Sequence, residues 1–185
     1  STLKGLSIPG LSIHYSDESD ELLETGGGLK KASSFFTSED KAFLIHNSDV
    51  ISNVDLAKMM EFHYQSGAMV TLAVSRRESS RFFYFDDNQY LCGWENRKTG
   101  ALRMIGENVA CKPLAFSGIH IMNPEVLEIL PSANIFSLTD FYLDIAGQIK
   151  IKAFEHDANN WFDMGKESSF EQQAQYILKN PSVFI

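Results

Sequence analysis

Apolar residues fall in short runs separated by polar and glycine-bearing stretches, and their period changes along the chain. Residues 10–16 alternate, with Leu11, Ile13 and Tyr15 on one side, which predicts a short strand followed by an acidic loop over 17–21. The run Gly26-Gly27-Gly28 then leads into a helical stretch over 29–36 and would place bare backbone N–H groups at its start. Residues 41–46 form a continuous apolar strand that ends at Asn47-Ser48-Asp49. The next helix has Asn53 as its N-cap, an apolar face at Leu56, Met59, Met60 and His63, and Gly67 as its stop. Residues 68–75 follow as a second buried strand, and this strand, helix, strand order predicts a parallel βαβ unit.

The pattern then turns to β. Residues 81–85 and 89–94 read as strands joined at Asp86-Asp87-Asn88, a hairpin signal, and a second hairpin-like element runs through 102–105 and 108–111. Residues 114–122 are a buried strand, Asn123-Pro124-Glu125 opens a short helix with proline in its first turn, and Ser137 caps a helix that reaches Ala146 before Gly147. A strand over 149–155, an extended piece at Trp161-Phe162-Asp163 and a helix over 168–178 close the chain. No repeat or low-complexity tract interrupts it, so 1–185 reads as one α/β domain.

Composition narrows the function. With 185 residues, 44% hydrophobic and 22% charged, the chain can bury one sizeable core. Its apolar runs are too short to span a bilayer and carry no cationic leader, which predicts a cytoplasmic protein with no membrane partner. A net charge of -8 with scattered basic residues argues against nucleic acid. An anionic ligand would need local help from cations, backbone N–H groups or a divalent metal held by carboxylates. Cys92 and Cys111 lie in different segments with no metal-ligand spacing, so two reduced, packed thiols are expected. The five histidines show no ligand spacing and read as packing or surface residues. Arg76-Arg77 and Lys30-Lys31 read as solvated charges, though either pair could lie near a phosphate.

Three places could carry chemistry. Asp49 follows a buried strand and precedes a helix, in the crevice where open α/β sheets bind ligands, so it either starts a turn or offers a carboxylate to a hard cation. Asp163, in Trp161-Phe162-Asp163-Met164-Gly165, is either a turn residue or a second ligand from a distant part of the chain. The glycines at 26–28 either make a flexible turn or admit close backbone approach to a ligand; they match neither the GxGxxG fingerprint nor a P-loop.

Taken together, Leu22-Leu23-Glu24-Thr25-Gly26-Gly27-Gly28, Asn47-Ser48-Asp49, Leu114-Ala115-Phe116-Ser117-Gly118-Ile119 and Trp161-Phe162-Asp163-Met164-Gly165 stand in the order and spacing of one family. The chain resembles the sugar-1-phosphate nucleotidyltransferases, closest to small bacterial members akin to mannose-1-phosphate guanylyltransferases and N-acetylmuramate-1-phosphate uridylyltransferase, enzymes that feed cell-envelope synthesis. The resemblance implies a nucleotide-diphospho-sugar transferase fold, a GT-A or Rossmann-like three-layer α/β sandwich with a mixed sheet whose N-terminal strands are missing. It implies transfer of NMP from GTP or UTP to a sugar 1-phosphate, with Mg2+ coordinated by Asp49 and Asp163. Glu21, Glu24, Gly26 and Gly27 would face the nucleotide; Asn96 and Arg97 would contact sugar and phosphate. Phe116, Ser117 and Gly118 would line the sugar pocket through backbone.

Departures from the family carry their own expectations. The glycine-rich loop G-x-G-T-R-x-x-P-x-T-x-x-x-P-K does not occur, Ser48 replaces a common glycine, and Arg81 stands where many members have a glycine beside the sugar. These 185 residues alone are therefore expected to lack transferase activity, to leave the wrong electrostatic sign for a triphosphate, and to expose a sheet edge that could drive self-association. Two other readings stay open: a nucleotide-sugar-dependent glycosyltransferase, and a non-catalytic sugar- or nucleotide-binding module.

Overall fold

A computed structural model describes residues 8–36, 41–106, 110–165 and 167–184. Its strands are β1 (Phe43–His46), β2 (Val50–Ser52), β3 (Val70–Ser75), β4 (Arg81–Phe85), β5 (Leu91–Asn96), β6 (Ala101–Met104), β7 (Lys112–Met122), β8 (Ile151–Glu155) and β9 (Trp161–Asp163). The helices are α1 (Glu24–Ala32), α2 (Leu56–Ser66), α3 (Leu138–Ile145) and α4 (Glu167–Lys179). One mixed sheet runs β6-β5-β4-β7-β3-β8 with β1 added on β7, while β2 and β9 form a separate ribbon. Among the described residues only β3 and β8 pair in parallel; the other neighbours are antiparallel.

The long strand β7 organises the sheet. It pairs with β3 along one edge, and along the other with β4 near its start and β1 near its end. The expected βαβ unit is thus corrected: β1 and β3 do run parallel, but β7 lies between them, antiparallel to both. A strand that is apolar on both faces belongs in the middle of a sheet, and β7 from Ser117 onward is buried throughout. On one face Ala73, Ile119 and Ile121 pack with Met59 of α2. On the other, Val70, Leu72, Val74 and Met122 pack with Leu138, Phe141 and Tyr142 of α3. Helix, sheet and helix form three layers because successive strand residues point to opposite faces.

Several local expectations change. Residues 10–16 form no strand; Leu11 makes a lone bridge with Ile8, since alternation without a partner strand has no ladder to join. Helix α1 starts at Glu24 and contains the glycines. Asp55 caps α2, its Oδ1 accepting from the Lys58 N–H at 2.9 Å, while the Asn53 N–H is held by the Asn160 carbonyl. The stretch after Asn123 is a 3-10 helix. Strand β6 pairs with β5, and residues 107–109 of the expected second hairpin fall outside the described residues. Cys92 and Cys111 are joined in a disulfide, contrary to the expected free thiols. The Ile105 N–H donates to the Cys92 carbonyl and extends the β5–β6 ladder by one residue, while linear spacing carries no sign that Cys111 lies against Cys92. The outer edge of β1 has no strand partner among the described residues.

Candidate active site

The β2–β9 ribbon brings two distant carboxylates together. Val50 pairs with Asp163, and the Met164 N–H donates to the Asp49 carbonyl at 2.7 Å, so the turn after β1 and the end of β9 are clamped side by side. Both side chains flank Gly165. A Cβ at 165 would stand 3.1 Å from Asp49 Oδ2 and 3.3 Å from Asp163 Oδ1, so those oxygens lie no farther apart than these distances summed. Two carboxylates with glycine between them leave room for a hard cation.

Beside this pair β7 bulges. Leu72 pairs with His120 and Val74 with Phe116, so residues 117–119 of β7 face the single residue Ala73. Gly118 has φ +76, a conformation glycine adopts freely, and a Cβ there would press on Val50 and Asn47 at 3.0 and 3.1 Å. Three successive carbonyls here are occupied by the protein: Phe116 accepts from Arg77 Nη2 at 2.6 Å, Ser117 from Trp161 Nε1 at 2.8 Å, and Gly118 from the Asn47 N–H at 2.9 Å. Arg77 also lies 3.7 Å over the Trp161 ring, and its Nε is buried without a partner among the described residues. Burial pulls the Arg77 pKa below its ordinary value and the Asp163 charge partly restores it.

These elements surround a cavity of about 570 Å³. Asn47, Asp49 and Asp163 form one end, and Phe83, Trp94, Phe116 and His120 supply an aromatic wall. Residues 77–81 and the exposed Lys98 also line the cavity, as do Thr25, Ser137 and Thr139, which carry hydroxyls. Arg81 and Lys98 make no ion pair among the described residues, whereas Arg76, Arg97, Arg103 and Lys112 are each paired with a carboxylate elsewhere. The cavity lining therefore carries Arg77, Arg81 and Lys98 together with the carboxylates Asp49, Glu78 and Asp163, cations and anions in equal number.

Of the residues singled out from sequence, Asp49, Asp163, Phe116 and Gly118 line this cavity. Ser117 is fully buried and turned away, its hydroxyl 2.8 Å from His156 Nε2. Gly26 and Gly27 spend their N–H groups on the Phe136 carbonyl, at 2.9 and 3.3 Å, and pack α1 against residues 134–136. They and the exposed Glu21 and Glu24 are not in the cavity lining; Thr25 between them is, with its Oγ1 accepting from the Leu138 N–H. Asn96 Oδ1 caps the Lys98 N–H, and Arg97 pairs with Glu95 while stacked 4.1 Å over Phe82, so Lys98 reaches the cavity and its two predecessors do not. Arg77, allowed near a phosphate, and Arg81, expected beside the sugar, both line the cavity, whereas sequence reasoning missed Lys98 and His120 as lining residues. The serines and arginines crowded at 77–81 between two apolar strands were the available signal for that loop.

Comparison with known proteins places this geometry. The family model described as nucleotidyl transferase matches residues 3–180. A mannose-1-phosphate guanyltransferase of Yarrowia lipolytica is 25% identical over 182 residues, 95% of this chain and 48% of the relative. One of Aspergillus oryzae is 28% identical over 166 residues, 86% of this chain and 42% of the relative. The chain therefore spans about half the length of the curated relatives it matches. Among solved structures, HddC from Yersinia pseudotuberculosis superposes with a TM-score of 0.64 at 18% identity, over 86% of this chain and 64% of that one. The same protein complexed with GMP-PN gives 0.61. Among the described residues no helix is long and apolar enough to cross a membrane.

Proposed function

The chain belongs to the nucleotidyl transferase family, and from that premise we propose that the protein transfers a nucleoside monophosphate from a nucleoside triphosphate to a sugar 1-phosphate, releasing pyrophosphate. The observation that carries this reading is the convergence of Asp49 and Asp163 on Gly165, beside a cavity lined by Arg81, Lys98 and aromatic rings. Guanosine triphosphate and mannose 1-phosphate are the first pair to test, because the fungal relatives carry that activity in their names; uridine triphosphate is the second arm.

Two oxygen donors beside an open position suit Mg2+, which keeps waters and takes further oxygens from substrate phosphates. Asp49 and Asp163 would hold it, and when bound it would neutralise charge developing on the α-phosphate. The remaining work falls to positioning. A sugar phosphate oxygen attacks the α-phosphorus in line with the departing pyrophosphate, and no covalent intermediate with the protein is needed. Arg81 and Lys98 would draw in the sugar phosphate and screen its repulsion from the nucleotide. Phe83, Trp94 and Phe116 would cover the apolar face of the sugar and exclude water, while Thr25, Ser137 and Thr139 would present hydroxyls to the nucleotide.

The test is pyrophosphate release by the full-length protein with Mg2+. Asp49→Asn and Asp163→Asn should each lower kcat on the order of 100-fold or more, the scale of losing one preorganised electrostatic contact. Full turnover in either variant would sink the assignment.

A further inference from the structure

His120 is a cavity residue whose hydrogen bonding is arranged from behind. It stands in β7 between Ile119 and Ile121, which are fully buried on the α2 face, so strand alternation turns its imidazole to the opposite side, toward α3. There its Nδ1 lies 2.8 Å from the Tyr142 hydroxyl, and the ring meets Phe116 edge-on at 4.7 Å. Tyr142 is 1% exposed, and its hydroxyl has no other partner among the described residues. Had Nδ1 carried the imidazole hydrogen, the phenolic proton would be stranded in the core as an unsatisfied donor, the costlier arrangement. Tyr142 therefore donates to Nδ1, and the hydrogen of the neutral ring sits on Nε2. Burial, with a smaller contribution from His46, depresses the His120 pKa to about 3, so the ring stays neutral at physiological pH. Nε2 has no partner among the described residues, and His120 lines the cavity next to Phe116 and Phe83.

We propose that Tyr142 holds His120 as an Nε2–H donor facing the cavity, where it donates to an acceptor oxygen on the sugar ring and so selects among sugar 1-phosphates. The identity of the ligand rests on the nucleotidyl-transfer reading; the state of the ring does not. A neutral donor adds no charge to a cavity already supplied with cations. Its contribution is discrimination, because a sugar lacking an oxygen at that place leaves a buried N–H unpaired. Tyr142 acts only through His120 and is a positioning residue.

Nitrogen NMR of the imidazoles in the ligand-free protein reads the ring directly. The expected signature is the Nε2–H tautomer in the wild type and a mixture of tautomers in Tyr142→Phe. An Nδ1–H ring in the wild type, or an unchanged ring in Tyr142→Phe, overturns the proposal. In the full-length enzyme, His120→Leu should raise KM for the preferred sugar 1-phosphate on the order of tenfold, with KM for the triphosphate unchanged, and His120→Gln, which retains an N–H near the same position, should recover most of it. A series of deoxy sugar 1-phosphates should contain one on which wild type and His120→Leu perform alike. Equal KM values for the parent sugar, or the same loss on every deoxy analogue, would overturn the contact. If the wild type turns over no sugar 1-phosphate, the proposed function falls and the sugar contact with it, while the NMR still decides whether Tyr142 sets the ring.

Discussion

Arg76 and Arg77 are adjacent in sequence and opposite in circumstance. Arg76 is exposed and paired with Glu155; Arg77 is half-buried, stacked on Trp161 and bonded to the Phe116 carbonyl. Nothing local distinguishes them, because the difference comes from Trp161, which arrives from the far end of the chain. Arg77→Lys should keep the charge yet lose the planar stack and the carbonyl bond, lowering stability by about 1–2 kcal/mol in denaturant titration, since a lysine ammonium cannot replace a stacked guanidinium. Buried histidines make a second residue-scale statement. Desolvation lowers the pKa of His63, His120 and His156, so the unfolded chain takes up protons near pH 6.5 while the fold holds these rings neutral. Their folded-state pKa values are depressed, so stability is complete above about pH 6.5 and drains away as pH falls toward the folded value of about 3 for His120. Thermal midpoints measured from pH 7 down to 4 should decline steadily, and His120→Gln should flatten the slope. Asp49 and Asp163 were legible because each follows an apolar stretch and opens a turn; His120 was not, since a histidine within an apolar strand reads as core until the cavity is seen.

Elements differ in how far their own residues specify them. Helices α2 and α3 carry capping residues and apolar stripes, and both appear close to where the periodicity places them. Residues 10–16 carry an equally regular alternation and form no strand, because a strand exists only against a partner. Helix α1 shows a third case. Its three glycines suggest a loop, and the structure uses them for approach: a Cβ at Gly26 would lie 2.7 Å from the Phe136 carbonyl oxygen, and one at Gly27 would overlap the Asn134 carbonyl. Gly26→Ala should force α1 away from residues 134–136 and cost about 1–3 kcal/mol, the range for overpacking a tight contact. The check is a lower denaturant midpoint with an unchanged m-value; an unaltered midpoint would mean that the helix can shift freely.

At the scale of the whole molecule, charge and topology decide function together. A net charge of -8 forecasts poor affinity for anions, yet the fold places Arg77, Arg81 and Lys98 around one cavity, balancing the carboxylates of Asp49, Glu78 and Asp163 there. Arg81→Glu and Lys98→Glu should each raise KM for the sugar phosphate about tenfold, and the wild-type KM should climb with salt as the Debye length shrinks toward about 8 Å. A salt-independent KM would remove the cations from substrate binding. The α/β class, the buried strands, the capped helices and the two acidic turns were determined by the sequence itself, because periodicity, caps and turn chemistry act over a few residues. Only the tertiary structure decided that β7 separates β1 from β3, that Asp49 meets Asp163 across Gly165, that Lys98 rather than Arg97 reaches the cavity, and that Tyr142 stands behind His120. Those juxtapositions join segments far apart along the backbone, and the free energy selecting them comes from burying all the apolar faces at once, a quantity no local stretch contains.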